Sequence, residues 1–245
     1  MTTPAPLATP AARRRWRLAA ITTVLGAGAF GTLAVLVPGP LTDDFDVGVL
    51  RLLRGLDDPS LPVGGRVVAD TFRDITALGG PVVLMMVVGL VAGYLAVDRR
   101  LRDAGAVLAA SIGALALDVL LKLAFGRDRP SVVPHLVVAH SGSFPSGHSM
   151  LAAVVYPTLG AMLARFAKRR ATQVLPIVAA VVITVLVGVS RLVLGVHYPT
   201  DVLAGWAAGA AWAGCVWLVV DRLARQGAVE GRGSTPSPAP PTSRT

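Results

Sequence analysis

Residues 174–220 read VLPIVAAVVITVLVGVSRLVLGVHYPTDVLAGWAAGAAWAGCVWLVV, and this stretch decides the fold. Two apolar runs, 174–194 and 202–220, meet at a polar segment, Ser190–Asp201, which carries Arg191, His197 and Asp201. Each run matches the ~20 residues that cross a ~30 Å hydrocarbon core as a helix. Ionisable groups at membrane depth are expensive and by default mark a functional site. Pro199 suits the first turn of the second helix, where its missing N–H costs little.

Four further runs of this kind lie upstream, at 18–37, 79–97, 104–125 and 149–166. The expected fold is therefore all-α, a bundle of six transmembrane helices spanning residues 13–226. The bulk composition agrees. Of 245 residues, 53% are hydrophobic and 15% charged, and the mean hydropathy is +0.65, a balance foreign to a soluble domain. The tails 1–12 and 227–245 are rich in Pro, Ala, Gly, Ser and Thr and are expected to be disordered. The first run follows RRRWR but exceeds a signal-peptide core and shows no small-x-small cleavage site. It reads as an uncleaved anchor. The single cysteine, Cys215, excludes an intrachain disulfide.

A net charge of +9 raises nucleic-acid binding, but the distribution of the cations argues against it. Arg13, Arg14, Arg15 and Arg17 precede the first run, and Arg99, Arg100 and Arg102 follow the second. Arg165, Lys168, Arg169 and Arg170 follow the fourth, and Arg222 and Arg225 the sixth. If the runs alternate direction, all four clusters share one side, the cytoplasmic one. Both termini are then inside. The loop 38–78, with seven aspartates against four arginines, falls outside. Within it, Val47–Leu56 and Val67–Leu78 carry apolar residues at helical spacing, as interfacial amphipathic helices or as loop helices covering the bundle.

Three polar blocks emerge on the outer side: Lys122–Pro130 (KLAFGRDRP), Pro145–His148 (PSGH) and Ser190–Asp201 (SRLVLGVHYPTD). Their inventory suits holding a phosphate and breaking its ester bond. Lys122 is a flexible point charge and Arg129 a planar fork for two phosphate oxygens. By itself the first block reads rather as a snorkelling lysine followed by an interfacial arginine. Arg127 and Asp128 read as solvated or mutually paired, and Asp118 as the i,i+4 partner of Lys122. Ser146 is a natural N-cap, and Gly147 at a helix N-terminus permits close approach of an anion. His148 then stands in the first turn, suited to protonating a leaving alkoxide. In the third block Asp201 is placed to reach back to His197 and fix its tautomer, as for an activated nucleophile. In isolation Asp201 also reads as a helix-start charge.

The motifs K-x6-RP, PSGH and SR-x5-H-x3-D resemble, without departure, the three signatures of the type 2 phosphatidic acid phosphatase family. That family includes undecaprenyl-diphosphate and phosphatidylglycerophosphate phosphatases, and its site is similar to that of vanadium haloperoxidases. The resemblance implies an enzyme in which His197 attacks phosphorus, Asp201 orients it, and His148 protonates the leaving oxygen. It further implies that Lys122, Arg129 and Arg191, with Ser146 and the Gly147 N–H, hold the phosphate oxygens, with no cofactor or metal. The expected partner is a lipid phosphate in the plasma membrane: polyprenyl diphosphate first, then phosphatidate or phosphatidylglycerophosphate. A haloperoxidase-like enzyme and a non-catalytic lipid-phosphate carrier are the alternatives. His135 and His140 share the outer loop with His148 and invite a metal reading, which their spacing does not support.

Overall fold

The computed structural model describes residues 10–139 and 141–233. Eight α-helices follow in order: α1 Pro10–Leu36, α2 Asp43–Leu52, α3 Gly65–Ala77, α4 Pro81–Val97, α5 Leu101–Phe125, α6 Gly147–Phe166, α7 Arg170–Val193 and α8 Pro199–Gly233. Among the described residues there is no strand, and the fold is the expected all-helical one. Residues 1–9 and 234–245, within the two expected tails, lie outside the described residues. Residues 10–12 and 227–233, which the sequence reading placed in those tails, belong to α1 and α8.

The six expected spans coincide with α1, α4, α5, α6, α7 and α8. Five of these helices are by themselves long and apolar enough to cross a membrane. The exception is α4. Its 17 residues reach about 26 Å at 1.5 Å per residue, short of a ~30 Å core. It qualifies only together with α3, from which it is bent by 42°. The bend falls at Gly79-Gly80-Pro81, where the proline occupies the first turn of α4 and contributes no unmet donor there.

α6 stands at the centre, packed against α7, α8 and α5, while α1 lies along α8. The core is built from Leu84 and Val88 of α4, Val107 and Ala114 of α5, and Met150, Leu151 and Val154 of α6. Side chains such as Val35, Leu90, Leu123 and Leu175 point outward, as lipid-facing positions should, since acyl chains are as apolar as leucine. Close approach is achieved with glycine. A Cβ on Gly209 would lie 2.6 Å from the Met150 carbonyl, and one on Gly205 2.5 Å from the Ser146 carbonyl, so α8 and α6 meet backbone to backbone.

The loop 38–78 folds over one end of this bundle. α2 begins earlier than its helical spacing suggested, because the acidic run Asp43, Asp44 and Asp46 occupies its first turn, where negative charge favours the helix dipole. The turn between α2 and α3 is tied down by Arg54, which donates to the Val193 carbonyl at 2.8 Å and the Pro134 carbonyl at 3.1 Å. Of the two readings of this loop, α2 and α3 cover the bundle, and both still present apolar faces outward through Phe45, Leu52 and Val67.

Candidate active site

The three polar blocks converge at the end of the bundle covered by α2 and α3. α5 ends at Gly126, whose φ of +56° closes the helix with an N–H bond to the Lys122 carbonyl; glycine carries no Cβ penalty in that conformation. The chain then runs back over the site. The Ser143 N–H donates to the Arg127 carbonyl at 2.8 Å and Arg129 Nε to the Ser141 carbonyl at 2.8 Å. The first and second blocks are thereby joined. Phe144, fully buried, sits among Phe30 and Phe125 with ring centroids 5.9 and 4.9 Å away, and this aromatic anchor sets the entry of Pro145-Ser146-Gly147-His148 into α6.

His197 is buried in the connection between α7 and α8. Arg129 reaches it from across the site: its Nη1 donates to the Val196 carbonyl at 2.7 Å and lies 3.3 Å from His197 Nε2. A guanidinium can only donate, so Nε2 is the accepting nitrogen and the proton resides on Nδ1. That nitrogen faces Asp201 Oδ2 at 3.5 Å, without hydrogen-bond geometry to any described residue. Asp201 thus reaches back to the Nδ1 side of His197 from the first turn of α8. Burial is the main cause that lowers the His197 pKa from 6.5 to about 4, with Arg191 and Arg129 adding to it and Asp201 opposing it. The imidazole is neutral at pH 7.

The remaining expected residues surround this pair. Lys122, His197, Arg129 and Arg191 all lie within electrostatic reach of His148. Lys122 is held by Asp118 at 2.9 Å, the i,i+4 pair read from the sequence. Gly147 packs on both: a Cβ there would come within 2.7 Å of the Asp118 carboxylate and 2.8 Å of Lys122 Nζ. Arg191 is buried and donates through Nη1 to Thr76 of α3 at 2.7 Å, while its Nε has no partner among the described residues. Ser146 occupies the N-cap position of α6 but makes no side-chain cap; its Oγ accepts from Ser149 at 2.9 Å instead.

One reading is corrected. Arg127 is neither solvated nor paired with Asp128. Its Nη1 donates to Asp201 Oδ1 at 2.6 Å and to Thr200 Oγ1 at 3.0 Å, its Nη2 to Asp46 Oδ2 at 2.9 Å, and its guanidinium lies 4.2 Å above the Tyr198 ring. Asp46 and Thr76 were also missed. The available signal was Asp46 itself, an acid on the same helical face as the buried Leu50. His135 is engaged with the Pro130 carbonyl at 2.6 Å, and His140 lies outside the described residues. Among the described residues no three His, Cys, Asp or Glu side chains gather as a metal site.

A buried imidazole backed by a carboxylate, a second histidine and three converging cations on a helical membrane scaffold have a family counterpart. The PAP2 superfamily profile matches residues 103–225, and the chain belongs to that superfamily. It is 47% identical over 96 residues to phosphatidylglycerophosphatase B of Bacillus subtilis, covering 38% of this chain and 46% of that protein, so it spans about half the relative's length. It is 32% identical over 143 residues to decaprenylphosphoryl-5-phosphoribose phosphatase of Mycobacterium tuberculosis, covering 57% of this chain and 73% of that one. The crystal structure of a transmembrane PAP2-type phosphatidylglycerolphosphate phosphatase from Bacillus subtilis superposes with a TM-score of 0.71 at 28% identity, over 81% of this chain and 97% of that one.

Proposed function

We propose that this protein is an integral membrane lipid phosphatase that hydrolyses a phosphomonoester or diphosphate borne by a lipid, through a phosphohistidine at His197. The observation that carries the reading is the set of contacts around His197: Arg129 on Nε2 and Asp201 on the Nδ1 side. In the first step His197 Nε2 attacks phosphorus, an N–P bond forms, and the P–O bond to the lipid breaks as His148 gives its proton to the departing oxygen. In the second, His148 takes a proton from water, the hydroxide oxygen bonds to phosphorus, and the N–P bond breaks to release inorganic phosphate. The Lys122, Arg129 and Arg191 cations, with Ser146 and the Gly147 N–H, hold the equatorial oxygens. Phosphoryl transfer needs this positioning and charge stabilisation above all.

The site faces the outer side of the plasma membrane in this proposal. The arginine clusters at the opposite end of the bundle support that orientation. Polyprenyl diphosphate is the first substrate to test; the mycobacterial relative's name adds a phosphorylated polyprenyl-linked sugar, decaprenylphosphoryl-5-phosphoribose, and the Bacillus relative's adds phosphatidylglycerophosphate, with phosphatidate beside them. The test is phosphate release from each lipid by the detergent-solubilised protein in excess EDTA. At least one lipid should be hydrolysed in EDTA, and His197→Ala should abolish turnover. Activity lost to the chelator, or retained by His197→Ala, would overturn the mechanism.

A further inference from the structure

We infer that Arg127 and Asp46 are positioning residues for the nucleophile: the buried Asp46–Arg127–Asp201 chain locks the carboxylate that orients His197. This inference rests on the proposal that His197 is the attacking group. Asp46 comes from α2, Arg127 from the segment after α5, and Asp201 from the first turn of α8, so three elements distant in sequence meet at one guanidinium. Both carboxylates are 0% exposed and the Arg127 side chain 15%.

Each carboxylate oxygen and both terminal nitrogens of Arg127 have defined partners. Asp46 accepts from the Thr200 N–H at 3.0 Å through Oδ1, and from Thr200 Oγ1 at 2.6 Å and Arg127 at 2.9 Å through Oδ2. Arg127 takes Asp201 Oδ1 at 2.6 Å. Asp201 is left with Oδ2, which accepts from the Tyr198 N–H at 2.8 Å and faces His197 Nδ1. Fixing one carboxylate oxygen on Arg127 and the other on a backbone donor leaves Asp201 no rotamer that turns from the imidazole.

Charge reaches the same conclusion. Two buried carboxylates and one guanidinium sum to a single negative charge behind His197, enough to steady an imidazolium or phosphohistidine. Without Arg127 two buried carboxylates would face each other uncompensated, which is strongly unfavourable. Asp201 and Asp46 hold the Arg127 pKa above its ordinary value even though burial works the other way. Arg127 differs from Arg129 and Arg191 in that both its terminal nitrogens are held by buried carboxylates, so it is not offered to the phosphate. Lysine at this place would keep the charge but lose the planar fork that spans two carboxylates.

The test uses the full chain in lipid nanodiscs, with Arg127→Met, Arg127→Lys and Asp46→Asn. Turnover of the best lipid substrate and inhibition by orthovanadate are measured, and the histidines are observed by 15N NMR, with His197→Gln assigning the His197 signals. Arg127→Met should lower kcat by about 10–100-fold with KM and the orthovanadate inhibition constant within about twofold of wild type. Arg127→Lys should recover part of the loss, and Asp46→Asn should lose activity in the same sense. The wild-type His197 signals should report a neutral ring protonated on Nδ1, and Arg127→Met should move that balance towards Nε2. An unchanged kcat in folded Arg127→Met, inhibition weakened in step with kcat, or an unmoved His197 tautomer would overturn the inference. Should Arg127→Met not fold, Arg127→Lys and Asp46→Asn decide by the same readings. A wild-type protein that releases phosphate from no lipid counts against the proposed function alone, and the NMR comparison still decides the positioning role.

Discussion

At the scale of single residues, His197 shows how burial prepares a group for chemistry. Its pKa near 4 lies below the ordinary 6.5, so the unfolded chain binds the proton more readily than the folded one. Stability from this residue is complete above pH 6.5 and is lost as the pH falls towards 4. Thermal midpoints measured between pH 7 and 4 should fall more steeply for wild type than for His197→Gln; equal slopes would contradict the burial argument. Arg191 makes a second case. Replacing its fork by lysine should cut kcat by about 10²–10³-fold, the cost of losing one donor aimed at developing charge, and steady-state kinetics check this. The residues proposed to hold the phosphate were legible in the sequence because phosphoryl-transfer chemistry asks for those side chains at short spacings. Arg127 and Asp46 were not. They pair across 81 positions, and the one local hint, Asp46 on the helical face of Leu50, does not say which cation it meets.

At the scale of elements, hydropathy alone located all six long helices, since a bilayer leaves each span little choice but an apolar helix. It did not show that α4, a helix of 17 residues, reaches span length only together with α3, from which it is bent by 42°. Helical spacing found α2 and α3 but not their tertiary contacts. The packing of α8 on α6 depends on absent side chains. Gly205→Ala would drive a methyl group to 2.5 Å from the Ser146 carbonyl, shifting the start of α6 where the site lies. Such overpacking costs about 1–3 kcal/mol, so both thermal stability and activity should drop. Gly28→Ala, in α1 with open space around it, should leave both intact or raise stability slightly. Paired melts in one detergent distinguish these outcomes.

At the scale of the whole molecule, charge and site lie at opposite ends. Arg165 pairs with Asp103 at 3.7 Å and Arg100 stacks on Phe166 at 4.3 Å, joining α5 and α6 far from His197. A reporter active only outside the cytoplasm should be active when fused near Gly142 and silent near Arg169; the reverse pattern would turn the molecule over in the membrane.

The outward apolar faces of α2 and α3, carrying Phe45, Leu52 and Val67 beside a polar interior, bear on how the reaction is counted. On the proposed function, enzyme and substrate are solutes of the same two-dimensional fluid, and encounters occur by lateral diffusion. Velocity should then follow the mole fraction of substrate in the surface. Adding inert detergent at constant bulk substrate would slow the reaction by dilution within the plane, though nothing had been taken from the tube.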